Sequence, residues 1–200
     1  MSSETSPRSA SSADLALLLE DSGAVLKGHF ILTSGRHSDT YFEKFRVLER
    51  PDVLSALCAE IASAFRGRGV ELVAGPTTGG IIIAFEVARQ LGVPALYVES
   101  EGGKKTLRRG AQVQPGSRTL IVDDVLTTGR SLAEVSEVLA GAGGVTVGAA
   151  VLIDRSEGET DYKGPIFSAY RVQAQSFAPD EVPEWLSATE ASKPGTRQAL

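Results

Sequence analysis

From Val70 onward the chain alternates short runs of consecutive apolar residues with longer stretches whose apolar residues recur every three or four positions. The runs Val70–Ala74, Ala95–Val98, Thr119–Val122 and Val145–Ile153 predict strands. The periodic stretches Gly80–Leu91 and Ser131–Leu139 predict helices. A strand that is apolar at every position is buried on both faces. Alternating strands and helices therefore give an α/β fold: a mainly parallel central sheet, flanked by helices, with right-handed crossovers. A polar stretch from Glu99 to about Gly110 follows the second strand, where a helix would be due.

The first fifty residues break this alternation. Ala13–Val25 carries Leu15, Leu17, Leu18 and Leu19 and suits a short helix. Gly28–Thr33 and Asp39–Lys44 read as extended segments around a Ser34-Gly35 turn, and Pro51 sits at the first turn of a helix running to about Phe65. This part reads as a small N-terminal hood laid over the sheet, with the residues after Arg155 returning to it. Residues 13–186 are then one domain, of which 13–50 contribute to the hood. Residues 1–12, rich in Ser and Thr, read as a disordered tail, and residues 187–200 as a loose one.

Charge and composition narrow the function classes. A formal net charge of −5 argues against a protein that neutralises many nucleic-acid phosphates. No stretch approaches the roughly 18 apolar residues of a membrane span, and the start has no secretory core. The one cysteine, Cys58, sits among Leu54, Leu57, Ile61 and Phe65 at helical spacing and reads as a small buried hydrophobe. These features fit a cytoplasmic protein with neither nucleic acid nor membrane as partner.

The residues with most chemistry are Leu120-Ile121-Val122-Asp123-Asp124-Val125-Leu126-Thr127-Thr128-Gly129-Arg130-Ser131. In an open α/β sheet, ligands bind beyond the carboxyl ends of the strands. Here two carboxylates stand at such an end. Alternation sends Asp123 and Asp124 to opposite sides, so they serve different hydroxyls or a metal. Thr127, Thr128 and Gly129 then form a tight loop opening a helix, whose free N–H groups suit a phosphate dianion. Acids for ribose hydroxyls beside a phosphate cradle describe a ribose 5-phosphate site. The competing reading is an acidic strand end with an ordinary helix cap.

That string resembles the phosphoribosyl-pyrophosphate motif of the type I phosphoribosyltransferases. The resemblance implies their fold, with Asp123 and Asp124 on the ribose hydroxyls and Val125, Leu126, Thr127, Thr128, Gly129, Arg130 and Ser131 around the 5′-phosphate. Val73-Ala74-Gly75-Pro76-Thr77-Thr78-Gly79-Gly80-Ile81 is similar to the family's pyrophosphate loop, which implies donor contacts at Thr77, Thr78, Gly79 and Gly80. The hood segment, Phe30 to Phe42, resembles the orotate-specific pattern F-x-L-x-S-G-x-x-S-x-x-Y-F, and the likeness extends from about Ala13 to Arg155.

The orotate enzymes imply an acceptor pocket of Thr33, Tyr41, Phe42, Thr127 and Arg155. The two aromatics would wall a flat pyrimidine, and the guanidinium would face its carboxylate. Filling a small core is the plainer role for either ring, and a structural ion pair for Arg155. His29 and His37 read as structural or surface residues. The basic stretch Glu99–Gly110 is similar to the family's mobile catalytic loop, often supplied by the neighbouring subunit of a homodimer, with Lys104 and Lys105 as its catalytic cations; a solvated hairpin is the alternative. Mg²⁺ would be held mainly through the substrate pyrophosphate, with no particular protein ligand.

The chain departs from the enterobacterial pattern, which has Lys where this sequence has Thr33, Gly79 and Ser100; it is closer to a shorter-loop subgroup. The reaction implied is transfer of the phosphoribosyl group to orotate in pyrimidine nucleotide synthesis. The alternatives are a phosphoribosyltransferase for a purine or another base, and a non-catalytic regulator that senses the same sugar donor.

Overall fold

The computed structural model describes residues 12–194 apart from 33, 157 and 173. Its centre is a six-stranded sheet. Five parallel strands, β3 (Leu72–Pro76), β4 (Ala95–Glu101), β6 (Arg118–Leu126), β7 (Val145–Asp154) and β8 (Ile166–Arg171), carry one antiparallel edge strand, β5 (Lys104–Thr106). The order across the sheet is β5-β4-β3-β6-β7-β8.

Both faces are covered, as continuous apolar strands require. Leu120, Val122, Ala150 and Leu152 point to one face. There they pack with Leu57, Ile61 and Phe65 of α3 (Pro51–Phe65) and Ile83 and Val87 of α4 (Gly79–Leu91). Their strand neighbours Ile121, Ala149 and Val151 point to the other face, against Leu132, Val135 and Leu139 of α5 (Arg130–Gly141). Cys58 lies wholly buried in the first cluster, and burial pushes its thiol up to about 12. It packs as a small hydrophobe, as its sequence neighbours predicted.

The hood is a second, three-stranded antiparallel sheet of β1 (Val25–Ile31), β2 (His37–Phe42) and β9 (Ser176–Phe177), in the order β1-β2-β9. Helix α1 (Ser12–Asp21) ends four residues sooner than expected. A Ser22-Gly23 turn follows it, and Val25 begins β1 instead of closing the helix. Leu15 and Leu19 tie α1 to the main core. The short helices α2 (Lys44–Leu48) and α6 (Glu184–Ser187) complete the set.

Three expectations need correction. Strand β6 runs to Leu126, not Val122, so Asp123 and Asp124 lie inside it. Its pairing with β3 ends at Ala74–Ile121 while pairing with β7 continues to Leu126–Asp154. The acids are therefore past the last residue that β6 pairs with β3, but fixed by β7. The polar stretch from Glu99 is not a plain loop, because β4 continues to Glu101 and turns back through β5. The residues after Arg155 return to the hood only at β9; before that, β8 lengthens the main sheet. Ile166, Phe167 and Ala169 are half-buried, as an edge strand with one covered flank would have them, and give no continuous apolar run.

The C-terminal end is held more closely than a loose tail would be. Within 187–194, Ser192 is held in the hood: its N–H donates to His29 O (2.9 Å) and its carbonyl accepts from Ile31 N (2.8 Å). Of the tail expected at 1–12, all but Ser12 lies outside the described residues. No helix among the described residues is long and apolar enough to cross a membrane.

Candidate active site

The strand ends of the main sheet gather four loops at one edge: β3 into α4, β6 into α5, β7 into Arg155, and the β4–β5 hairpin. Parallel strands place all their carboxyl ends on the same side, so the crevice there is a product of topology.

Asp123 and Asp124 form its floor. Asp124 is buried and lies on the α4 side. Its Oδ1 accepts from Val125 N (2.7 Å) and its Oδ2 from Lys44 Nζ (2.7 Å). Asp123 faces the α5 side, where Ser131 bonds its carboxylate, and its Oδ1 also accepts from Asp124 N (2.8 Å). Burial first, and then the charge of Asp124, push the Asp123 carboxyl up to about 6. Two neighbouring acids on opposite sides of one strand can serve two adjacent hydroxyls.

The loop after β6 supplies the anion cradle. The side chains of Val125 and Leu126 pack into the core on either face, Val125 N is taken by Asp124, and Leu126 O accepts from Arg155 N (2.9 Å). These two residues thus shape the loop, and the free donors begin after them. Thr127 and Thr128 are exposed, and Arg130 N donates to Thr128 Oγ1 (3.3 Å). Gly129 has φ +75°, and a Cβ there would lie 2.9 Å from Thr160 Cβ, so only glycine lets the loop turn beneath residues 160–162. The N–H groups of the first turn of α5 then point outward without intrahelical partners. The Arg130 guanidinium turns away to Glu134 (2.8 Å).

A second helix start faces the same crevice. Thr77 N donates to Val98 O (3.0 Å), the Thr77–Thr78 peptide is cis, Thr78 is exposed, and Gly79 and Gly80 open α4. Two N-terminal helix turns beside two carboxylates suit a ligand with anions at both ends and hydroxyls between.

The hood contributes one aromatic, not two. Alternation along β2 sends Phe42 into the main core, while Tyr41 stays half-buried with its ring 5.7 Å from that of Phe30. Phe42 is therefore a packing residue. Burial and then Glu43 push the Tyr41 hydroxyl up, with Arg155 and Lys44 opposing, so Tyr41 is within electrostatic reach of both cations. Buried Asp154 accepts from Ser156 N (2.8 Å) and Ser156 Oγ (2.7 Å) and fixes the turn that carries Arg155. Thr33 lies outside the described residues.

The hairpin separates its two lysines. Lys104 pairs with Glu101 and Lys105 with Ser100. Directly paired residues share a face, so Lys104 lies on the face of Glu99 and Glu101, and Lys105 on the face of Ser100 and Val98. Arg109 and Arg108 already pair with Glu99 (3.0 Å) and Glu101 (3.3 Å). His29 and His37 bind one another (Nε2 to Nδ1, 2.6 Å), and His29 Nδ1 bonds Thr189 O (2.9 Å). They tie the hood together and do not stand among the acids. A cavity of about 830 Å³ opens at the opposite ends of the strands, lined by Leu72, Ala95, Tyr97, Arg108, Gln112 and Ser117 among others. It contains neither acid, and its size alone does not make it the site.

Lys44 is the residue that sequence reasoning missed. In the sequence it only ends an extended segment, and 80 positions separate it from Asp124.

Comparison with known proteins agrees with this arrangement. Residues 52–181 match the phosphoribosyl transferase domain family. The chain is 45% identical over 185 residues to an orotate phosphoribosyltransferase of Pelotomaculum thermopropionicum, covering 92% of this chain and 97% of that one. The chain belongs to the orotate phosphoribosyltransferases of that family. A second relative of the same name, from Desulforamulus reducens, is 46% identical over 88% of this chain and 92% of its own. The crystal structure of the Aeropyrum pernix orotate phosphoribosyltransferase superposes with a TM-score of 0.66 at 32% identity, covering 80% of this chain and 94% of that one. The family domain begins at 52, so strands β1 and β2 of the hood lie before it and β9 within it, while the match to the Pelotomaculum enzyme takes in 92% of the chain. The phosphoribosyltransferase fold expected from the sequence is the one observed.

Proposed function

We infer that this protein transfers the 5-phosphoribosyl group of phosphoribosyl pyrophosphate to orotate, giving orotidine 5′-phosphate and pyrophosphate. The observation that carries the reading is the adjacent pair Asp123 and Asp124, held on opposite sides of β6 between two helix starts.

Each part has a role in that reaction. Asp123 and Asp124 accept hydrogen bonds from the ribose 2′ and 3′ hydroxyls. Backbone and hydroxyl donors of Thr127–Ser131 hold the 5′-phosphate, and Thr77–Gly80 receives the pyrophosphate. Tyr41 covers a face of the pyrimidine, with Thr33 and Thr127 at its edge, and Arg155 binds its carboxylate. The bond from the anomeric carbon to the pyrophosphate oxygen breaks, and a bond from the same carbon to a ring nitrogen of orotate forms. The ring nitrogen gives up its proton as it bonds, to solvent or to the departing pyrophosphate, so little general acid–base work falls to the chain's residues. Their work is to align the two substrates and to stabilise charge building on the leaving group.

Mg²⁺ fits as a passenger of the donor. No group of three or more His, Cys, Asp or Glu among the described residues could cage a metal. Mg²⁺ is commonly bound through substrate phosphates with few protein ligands, and it neutralises phosphate charge.

The enzyme works in the cytoplasm as a homodimer, with the β4–β5 hairpin of one chain closing the site of the other and supplying Lys104 or Lys105. Ile82 and Phe85, one turn apart on α4 and 45% and 65% exposed, are apolar surface that a second copy would cover. Asp123→Asn with Asp124→Asn tests the donor site by calorimetry. Donor binding should disappear while the fold persists, and unchanged affinity would overturn the assignment.

A further inference from the structure

Lys44 stands at the junction of hood and body, as the first residue of α2. Its Nζ lies 2.7 Å from Asp124 Oδ2, and the other oxygen of that carboxylate is fixed by Val125 N. Asp124 is thus clamped at both oxygens, one clamp from its own strand and one from a different subdomain. A third neighbour completes the enclosure. A Cβ added at Gly79 would fall inside contact distance of Asp124 Oδ2, so the first residue of α4 offers no side chain and leaves the approach to Lys44.

We propose that Lys44 is a positioning residue for the sugar donor, holding the Asp124 carboxylate in the orientation that meets a ribose hydroxyl. The proposal rests on the donor site described under the proposed function. The ion pair joins a side chain that is 41% exposed to one that is 12% exposed. Such a half-wet pair contributes little to folding, because solvent screens it and two side chains must be ordered. Its value lies in geometry. A carboxylate tied only by Val125 N would rotate away from Asp123, whose negative charge is next to it. Lys44 also acts electrostatically on both Asp123 and Tyr41, which puts it between the sugar and base sides of the crevice.

The test uses ribose 5-phosphate, which has the hydroxyls and the 5′-phosphate but no leaving group, and magnesium pyrophosphate, which has only the latter. Wild type, Lys44→Met, Lys44→Arg, Asp124→Asn and the Lys44→Met/Asp124→Asn double variant are compared by calorimetry, each checked for folding by urea denaturation. Lys44→Met should weaken ribose 5-phosphate by about tenfold or more. Magnesium pyrophosphate should bind as in wild type, and Lys44→Arg should recover part of the loss. The double variant should bind no worse than Asp124→Asn alone, since Lys44 acts through that carboxylate. Losses that multiply in the double variant, a loss falling on pyrophosphate, or unchanged ribose 5-phosphate binding in Lys44→Met would each overturn the proposal. Failure of wild type itself to bind ribose 5-phosphate would overturn the donor site, and the role of Lys44 with it.

Discussion

Replacing Asp123 by Asn is expected to strengthen the fold while destroying the site. Burial and the neighbouring charge of Asp124 raise the Asp123 carboxyl from an ordinary 3.8 to about 6. At about 1.4 kcal/mol per pH unit, keeping it ionised in the empty folded protein at pH 7.5 costs on the order of 3 kcal/mol. The sign follows from proton counts. Between about pH 4 and 6 the folded protein holds a proton that the unfolded chain has released, so stability falls as pH rises through this window and is level above it. Asn has no charge to bury, and its Oδ1 can still accept from Asp124 N as the carboxylate does now. Asp123→Asn should therefore raise the urea-unfolding free energy at pH 7.5 by up to about 3 kcal/mol, with the gain shrinking toward zero near pH 4. Paired urea titrations at pH 7.5, 6 and 4 measure this, with calorimetry of the sugar donor alongside. A variant no more stable than wild type at pH 7.5, or a difference that does not change with pH, would refute the reasoning that this acid is held charged against its surroundings.

Further outcomes follow from the other side chains. Arg155→Ala should weaken orotate by about ten- to a hundredfold and the sugar donor far less. Its backbone N–H stays bonded to Leu126 O whatever the side chain, and an equal loss for both substrates in initial-rate kinetics would make Arg155 structural. Lys104→Ala and Lys105→Ala should differ sharply in kcat, because the hairpin register sends the two side chains to opposite faces; equal effects would contradict that geometry. Mixing a dead hairpin variant with a dead Asp123/Asp124 variant should restore about a quarter of wild-type activity if the hairpin serves the partner's site. No recovery after demonstrated subunit exchange would place it in its own. Glu86 accepts from Arg89, Ser55 and Gln90, and these bonds hold its carboxyl down at about 2. Its stabilising effect is complete above the usual carboxylate range and is lost as pH falls toward 2. Glu86→Gln should cost about 1–2 kcal/mol at neutral pH and nothing in strong acid, read from denaturation midpoints.

Features written in consecutive residues were legible from the sequence. The runs Val145–Ile153 and Thr119–Val122 announced strands buried on both faces, and Leu54, Leu57, Ile61 and Phe65 announced the helix that buries Cys58. The two acids and the loop after them were visible because strand end, carboxylates and helix start are contiguous. What stayed hidden depends on partners far along the chain. Asp123 and Asp124 lie within β6 because β7 stays paired beside them after the pairing with β3 has ended, a matter of register that no local pattern records. Strand β8 sits at the edge with only partial burial, so its apolar signal is weak. Tyr41 and Phe42 looked equivalent as a pair, yet the period of two in a strand gives the crevice only the first. Lys44 carried no signal at all, since its meaning comes from an ion pair across the hood–body junction.

The account stands most directly on one transfer experiment. The protein, Mg²⁺ and phosphoribosyl pyrophosphate are incubated with orotate, and in parallel with adenine or hypoxanthine, and the products are separated by chromatography. Orotidine 5′-phosphate and pyrophosphate should appear in equal amounts, with no purine nucleotide, and neither product should form with the Asp123→Asn/Asp124→Asn variant. Formation of a purine nucleotide while orotate stays intact, or tight binding of the donor with no transfer to any base, would contradict it.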